Sequence, residues 1–450
     1  MPRRPAHRAS ERGAALLMAV VSVAVLTALA VDLAYETQVR LRAAANARDA
    51  LRAQALAESG VTMARLVVSI QVALDGASKT IADATAGQTA GQPPSGAPTT
   101  GGAPRPQIWS LVPVNTGLAQ ALFGDPGAAA AGPSSGAPAE TAISTVRYGD
   151  FDGGFDARLE DEAQKIDVQL SSLRTDRAVQ QRVEGLLRLL CDSKWDPLFS
   201  RDQADGQRYS RSDLVLHLRD WVDDDRKGSS LVAVFSGGSC NFEVGHPAFE
   251  ETFSDEDRPY DRGKDRYKAK NARLDSLEEL HLVAGVNDAF MAAFSERFTV
   301  YRPQSAKRKI NLHDDRQTLE DVLSMVEPAS RAAVLDPTFF PRLKKELLAQ
   351  TIGGLFSIPP TAFAGLVEQI GGVSVQAKFR TTGAESPFGD ETNVYRIRAS
   401  GVAGDVTKTI DAVVSYDEQN VPEHEKLKAG QLNLPNLSPR LGGLIRWREE

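Results

Sequence analysis

Residues 14–31 read AALLMAVVSVAVLTALAV, an apolar run with no charged residue, and they follow the short basic segment MPRRPAHRASERG of residues 1–13. At ~1.5 Å of rise per residue, a helix over this run is roughly 27 Å long, close to the ~30 Å hydrocarbon core of a bilayer. Basic residues before the run predict a cytoplasmic N-terminus, with the rest of the chain outside. The run therefore predicts one membrane-spanning helix that includes Ala14, Leu16, Leu17, Met18 and Val31.

The apolar run continues without interruption into a second, amphipathic part. From Ala14 to Ser59 the chain contains no glycine or proline, and beyond Asp32 it is rich in strong helix formers. Apolar residues such as Leu41 and Leu51 predict one face that packs on another part of the protein. We therefore predict a single long helix over residues 14–75. A simpler interpretation, an ordinary signal-anchor in front of a periplasmic protein, stays open on these residues alone.

Bulk composition excludes several classes of protein. The chain has 450 residues and a net charge of −7, which does not suit a nucleic-acid-binding surface. Two cysteines exclude a disulfide-dense scaffold and an all-cysteine zinc site. Ser134 lies in a G-x-S-x-G pattern, but Ala/Gly/Pro-rich sequence surrounds it, unlike the strand-to-helix elbow that a hydrolase needs. We predict that the chain is not an enzyme; the rival is a membrane-anchored hydrolase that uses Ser134.

Strand-like and helix-like patterns follow one another in an order that predicts an insertion. Residues 108–114 (IWSLVPV) predict a strand, and the turn Asp152-Gly153-Gly154 predicts a hairpin. A helix-rich region follows, and a second hairpin is predicted around Ala403-Gly404-Asp405. Strands on both sides of a helical block predict an α+β fold, in which one antiparallel sheet carries a large all-α insertion.

Five segments together resemble a known family. Gly13 followed at once by Ala14 and the apolar run resembles a prepilin processing site, with Met18 where most members of that superfamily have glutamate. Four further blocks occur in the family's order: LEDEAQKIDVQL (159–170), LHLRDWVDDD (216–225), KNARLDSLEELHLVAGV (270–286) and RKINLHDDRQTLEDVL (308–323). The chain resembles the minor pseudopilin K family of the type II secretion system.

The resemblance implies a fold, a place and a set of partners. It implies a pseudopilin fold whose inserted α-domain has SAM-like or helix-hairpin-helix-like elements. A prepilin peptidase would cut after Gly13 and methylate Ala14, and the chain would stay in the inner membrane with its bulk in the periplasm. There it would cap or initiate the pseudopilus with other minor pseudopilins, the major pseudopilin and the inner-membrane assembly platform, without binding nucleic acid. The domains predicted are a leader (1–13), the long helix (14–75), a Gly/Ala/Pro-rich loop (76–106), the first part of the sheet (107–170), the inserted α-domain (171–305), a second helical segment (306–370), C-terminal strands (371–416) and an irregular tail (417–450).

Two acidic segments form a candidate calcium site. Asp223 and Asp225 follow one helix, and Glu256 and Asp257 belong to the segment SDEDRPYDRGKD. Calcium takes six to eight oxygen ligands, so carboxylates from two loops could share an ion. An EF-hand is excluded because Lys227 and Val234 occupy ligand positions. The family resemblance favours calcium, and the alternative is a solvated acidic surface.

Two other features have open alternatives. Cys191 and Cys240 would lie in an oxidising compartment, which predicts a disulfide bond, although two buried free thiols would also fit the sequence. Residues 277–294 (LEELHLVAGVNDAFMAAF) resemble a helix-hairpin-helix, and the rival function is therefore nucleic-acid binding in a DNA-uptake system. The flanking residues are acidic and repel phosphate, so we predict a packing motif instead.

Overall fold

The computed structural model describes residues 10–88, 105–123, 146–148, 151–170, 176–203, 206–235, 242–261, 266–303, 306–312, 314–381, 386–416 and 441–450. The helices are α1 Ser10–Gln88, α2 Ile108–Leu111, α3 Thr116–Phe123, α4 Asp176–Leu190, α5 Asp196–Ser200, α6 Arg211–Val222, α7 Asp288–Phe294, α8 Asp315–Met325, α9 Arg331–Val334, α10 Phe339–Gln350 and α11 Pro360–Gly371. The strands are β1 Val114–Asn115, β2 Val146–Tyr148, β3 Phe151–Asp161, β4 Ile166–Asp167, β5 Lys227–Phe235, β6 Phe242–Asp255, β7 Phe298–Thr299, β8 Arg308–Lys309, β9 Phe388–Gly389, β10 Val394–Ala403, β11 Val406–Ser415 and β12 Gly443–Glu449.

A small antiparallel sheet is built from distant parts of the chain. Its strand order is β1-β3-β10-β11-β12, and β2 pairs with the outer part of β3. The second part of α1 packs on this sheet and forms one hydrophobic core with it. Its members include Ala57, Val61, Ala64, Val68, Phe155, Ile397, Ala399 and Ala412. The prediction of an α+β fold, with a long N-terminal helix on a small antiparallel sheet, is confirmed.

Small residues let α1 lie directly on the strands. A Cβ built on Gly401 of β10 would lie 2.1 Å from the Ala53 carbonyl oxygen and 2.5 Å from the Ala57 nitrogen. Gly60, on the helix side, faces Phe155 and Ala399 at 3.1 and 3.2 Å in the same construction. Helix backbone and strand backbone thus approach more closely than any side chain at residue 401 would permit.

The insertion between β3 and β10 contains two further cores. Helices α4, α6 and α7 enclose the first, around Leu186, Leu190, Leu214, Leu218 and Phe294. Helices α8, α10 and α11 enclose the second, around Val322, Leu343 and Phe363. The insertion is not entirely helical, because β5 and β6 form a long antiparallel hairpin within it. The predicted all-α character of residues 171–305 is therefore wrong for this hairpin.

Buried charges join the sheet to both parts of the insertion, and they come from the block of residues 159–170. Asp161 accepts hydrogen bonds from Lys309 Nζ and Thr392 Oγ1 at 3.2 and 2.7 Å. Glu162 accepts from Lys165 and Arg396 at 2.8 and 2.7 Å. Asp167 lies 2.5 Å from Arg182 and 3.7 Å from Arg302. We call Asp161, Glu162 and Asp167 the carboxylate hub.

Four boundaries differ from those predicted. Helix α1 continues to Gln88, past the predicted end at residue 75. Residues 108–111 are helical, so that the strand predicted at 108–114 is reduced to β1. Asp152-Gly153-Gly154 lies inside β3, because Asp152 and Gly153 pair with β2 and Gly154 pairs with Val402 of β10. Part of the predicted irregular tail forms β12 at the edge of the sheet.

Candidate metal centre

The two acidic segments meet because helix α6 and the β5–β6 hairpin place them side by side. Helix α6 begins with a capping box, in which Ser210 and Asp213 satisfy each other's main-chain N–H groups, and it ends at Val222. Strand β5 starts shortly afterwards, and Lys227 pairs with Asp255 at the end of β6. The residues before β5 and after β6 therefore lie against each other.

Asp223 is buried with half of its carboxylate unsatisfied. Its side chain is 3% exposed, Oδ2 lies 3.1 Å from Arg219 Nε, and Oδ1 accepts no hydrogen bond. Burial raises the pKa of Asp223 to about 7; Arg219 opposes the shift, and the charges of Asp220 and Asp225 add to it. A buried carboxylate oxygen without a donor is costly unless a cation or a proton neutralises it.

Glu256 is likewise a buried carboxylate with unsatisfied oxygens. It is 2% exposed, and neither carboxylate oxygen accepts a hydrogen bond of normal geometry. Burial raises its pKa to about 7; the nearby Asn271 side chain opposes this, and the charges of Asp223, Asp220 and Asp225 increase it. The charge of Asp223 is one cause of the raised pKa of Glu256, so the two carboxylates lie near each other.

Asn271 carries a fourth unsatisfied oxygen, which sequence reasoning did not identify. Its Nδ2 donates to the Asp225 main-chain oxygen at 2.6 Å, whereas its buried Oδ1 has no donor. The residue has a φ of 51°, a left-handed conformation that asparagine tolerates better than most residues. The sequence pattern singled out carboxylates, so an amide from a separate loop carried no recognisable signal.

The other two predicted ligands have other partners. Asp225 Oδ1 accepts from the Lys227 N–H at 2.7 Å, in a turn that starts β5. Asp257 Oδ1 accepts from the Ala269 N–H at 2.9 Å, and its Oδ2 lies 3.5 Å from Lys268 Nζ. Asp257 thus holds the loop that carries Asn271. Asp220, also near the site, accepts from the Ser229 N–H, and burial raises its pKa to about 6.

The donor set suits a hard cation. Within the described ranges, no three His, Cys, Asp or Glu side chains are arranged to hold a metal ion as they stand. The unsatisfied oxygens belong instead to two carboxylates and one amide, Asp223, Glu256 and Asn271. Carboxylate and amide oxygens are ligands that Ca²⁺ accepts, and these residues offer four unsatisfied oxygens of the six to eight that the ion takes.

The predicted membrane residues lie on the free part of α1. Leu16, Leu17, Met18 and Val31 are between 65% and 71% exposed, and the most apolar window of the helix is 0% buried with a mean hydropathy of 2.5. The backbone of Gly13 and Ala14 belongs to the helix, and the Ala14 side chain lies outside the described residues. One helix among the described residues is long and apolar enough to span a membrane.

Two further predicted features involve residues that the structure does not describe. Cys191 is buried just after α4 and is disulfide-bonded, whereas Cys240, its predicted partner, lies outside the described residues. Ser134 also lies outside them.

The helix-hairpin-helix-like segment is turned inward. Its turn residue Gly285 has a φ of 94° and lies against Tyr209. The Ala284 carbonyl meets His217 Nδ1 at 2.9 Å, and Gln203 Nε2 donates to the Gly285 carbonyl at 3.0 Å. The turn is thus packed against its own domain, in agreement with the packing motif predicted.

No protein-family model and no curated protein matches the sequence. A chain in the crystal structure of the GspK-GspI-GspJ complex from the enterotoxigenic Escherichia coli type 2 secretion system is similar, at 13% sequence identity. The match covers 68% of this chain and 83% of that chain, with a TM-score of 0.36.

Proposed function

We propose that this chain is a minor pseudopilin of the type II secretion system, which caps or initiates the pseudopilus together with other minor pseudopilins. One observation carries the proposal: α1 exposes every large apolar side chain of its first part and buries apolar side chains of its second part against the sheet. This arrangement suits a helix that is held in lipid and later packed among neighbouring helices of a fibre.

The exposed part of α1 requires an apolar environment. Burial of a Val, Leu or Met side chain is worth about 1.5–3 kcal/mol, and a continuous apolar segment exposes many of them. A bilayer satisfies this requirement, and so does a bundle of like helices. A cut at the prepilin-like junction between Gly13 and Ala14 would leave the apolar segment in the mature chain. The same segment would then serve first in the bilayer and later in the bundle of helices.

Met18 and the size of the insertion support a special position in the fibre. A carboxylate in lipid is expensive and needs a partner such as a neighbour's terminal amine, so Met18 removes one docking contact. A head enlarged by the two additional cores is also difficult to stack repeatedly. Both features favour a single copy at one end, and we assign no catalysis to the chain.

We further propose that calcium binds between Asp223, Glu256 and Asn271. The ion would supply the positive charge that the two buried carboxylates lack, and it would join the end of α6 to the loop after β6. The Asp225 main-chain oxygen is held at the same place by Asn271. The role of such an ion would be structural.

Mass spectrometry of the N-terminus tests the secretion role. The chain is expressed with and without a prepilin peptidase, and we expect cleavage after Gly13 and a methyl group on Ala14 only when the peptidase is present. An Arg12→Ala variant serves as control, because it changes the leader but retains the junction. A chain that keeps residues 1–13 in the presence of an active peptidase would exclude the proposal.

A further inference from the structure

A cavity of about 660 Å³ lies between the two parts of the insertion. Helix α4 of the first core lines one wall, and α8, α9 and Phe388 of β9 line the other. An ion pair joins the two walls, in which Lys378 Nζ lies 3.0 Å from Glu184 Oε2. Cavities of this size accommodate a small organic molecule. We call this space the insertion cavity.

The lining of the insertion cavity carries an excess of positive charge. Among the described residues that line it, seven Arg and Lys side chains are buried or half-buried, whereas four Asp and Glu side chains are. Three of these carboxylates form ion pairs with cations of the same lining: Asp167 with Arg182, Glu184 with Lys378, and Asp321 with Arg308. The two other lining carboxylates, Glu243 and Glu327, are exposed, where water and salt screen their charge. The cavity therefore attracts anions.

Arg188 of α4 and Arg331 of α9 face each other's charge from opposite walls. Burial lowers the pKa of Arg188 to about 10; the charge of Arg331 lowers it further, and Glu184 opposes both effects. Burial also lowers the pKa values of Arg331 and Lys307. Because a positive charge beside another is unfavourable away from water, an anion between the walls would stabilise both guanidinium groups. Phosphate suits them well, since the fork of guanidinium N–H donors matches its oxygens.

Aromatic rings add apolar surface to both walls. Phe242 of the first core lines the cavity, and so do Phe379 and Phe388 of the second. The Arg188 guanidinium lies over the Phe242 ring, 4.5 Å from its centroid, and the Arg308 guanidinium lies over the Phe388 ring at 4.8 Å. Each wall thus presents a cation stacked on a ring, and the stacking helps to hold the cation in place. A ligand with an anionic group and an apolar group would use both features.

We propose that the insertion cavity binds a soluble organic phosphate, a phosphate monoester with an apolar group, whose phosphoryl oxygens contact Arg188 and Arg331. This site goes beyond the secretion role and does not depend on it, because α1 contributes no described residue to the cavity.

Isothermal titration calorimetry of the purified full chain in detergent tests the site, with phenyl phosphate as the probe. We expect saturable binding at one site per chain. Inorganic phosphate lacks the ring and benzyl alcohol lacks the charge, so each should bind more weakly by about tenfold or more. Equal affinities for phenyl phosphate and inorganic phosphate would overturn the proposal.

A charge variant tests the contact with the phosphoryl group. Arg331→Gln should weaken the binding of phenyl phosphate by about tenfold or more, because it removes a charge-assisted hydrogen bond. Arg342→Gln is the matched control, since Arg342 is exposed on α10 in the same part of the insertion and does not line the cavity. The affinity of the control should equal that of the native chain.

A second variant fills the cavity and keeps all of its cations. Gly185 of α4 lines the cavity, and a Cβ built on it has nothing within 4 Å. Gly185→Leu should therefore abolish the binding of phenyl phosphate. Gly365→Leu in α11 is its control, because a Cβ there is equally unobstructed and Gly365 does not line the cavity. Thermal unfolding checks that all four variants are folded.

Three further results would overturn the site: no saturable binding to the native chain, native affinity in Gly185→Leu, or equal losses in Arg331→Gln and Arg342→Gln. The N-terminus of the same chain, expressed with the peptidase, is read by mass spectrometry. An uncut leader with the expected binding would exclude the secretion role alone, whereas a cut leader without binding would exclude the phosphate site alone.

Discussion

Asp223 and Glu256 are buried carboxylates whose pKa values are raised to about 7 by the fold. In an unfolded chain both titrate near pH 4. The folded chain consequently binds more protons between about pH 4 and about pH 7. The stability that these groups contribute is fully present below about pH 4, and it is lost as the pH rises through about 7.

Calcium should oppose this pH dependence. In a chelator, we expect the midpoint of thermal unfolding to fall between about pH 5 and about pH 8 as the two carboxylates lose their protons. With calcium the midpoint should rise, and the rise should be larger at about pH 8, because the ion competes with protons for the same oxygens. Calorimetry of the full chain in detergent measures both. An equal effect of calcium at the two pH values would contradict the assignment.

Removing the charge of Glu256 should have opposite effects on the free energy of unfolding with and without calcium. At about pH 8 in a chelator, Glu256→Gln should raise the free energy of unfolding by about 1–3 kcal/mol, since it removes an uncompensated buried charge. It should also abolish the stabilisation by calcium. Asp257→Asn is the matched control, because Asp257 already accepts from Ala269 and faces Lys268, and the response to calcium should persist. A Glu256→Gln chain that still responds to calcium would remove Glu256 from the site.

Single residues also show why the site was only partly predictable. Asp223 and Glu256 were among the four predicted ligands because acidic clusters are visible in a sequence. That Asp257 is occupied by a main-chain N–H, and that Asn271 enters from another loop, depends on the path of residues 266–271. Both depend on the tertiary structure, and the local sequence around these residues does not reveal it.

The contact between Gly401 of β10 and the backbone of α1 shows how the helix is held on the sheet. Gly401→Ala should lower the free energy of unfolding by about 3 kcal/mol or more, because the new methyl group meets α1 backbone that cannot move aside. Gly185→Ala in α4 is the matched control, since a Cβ there has nothing within 4 Å. That change should stabilise the protein by about 0.5–1 kcal/mol through helix propensity. Chemical denaturation measures the two variants, and equal effects would mean that α1 does not lie on β10 as described.

The secondary-structure elements differ in how clearly the local sequence pattern predicts them. Helix α1 was predicted because its helix formers run without a break over many turns. The β5–β6 hairpin was missed, since Pro247 and the register shifts between β5 and β6 interrupt the alternation of β6. Strand β12 was missed because its partner β11 is separated from it by residues 417–440, and pairing at that distance leaves no local pattern.

The carboxylate hub joins the sheet to both parts of the insertion, so we expect these parts to unfold together. Asp167→Asn should cost about 3–5 kcal/mol, because Arg182 and Arg302 stay buried without the charge that faces them. The exposed pair Asp315 and Lys344 is the control, and Asp315→Asn should cost less than about 1 kcal/mol. Denaturation followed by tryptophan fluorescence and by circular dichroism measures both. Two separate transitions in the native chain would contradict the cooperative role of the hub.

The pairing of β12 with β11 has a consequence for biogenesis. Strand β11 is an interior strand only when residues 443–449 lie beside it, and Arg446 and Arg448 of β12 reach across to Glu278 in the insertion at 2.6 and 2.9 Å. A polypeptide that stops short of residue 443 leaves a row of main-chain N–H and C=O groups bare along β11, which invites aggregation. Strand β12 thus covers the edge of β11, and products that end before residue 443 expose that edge.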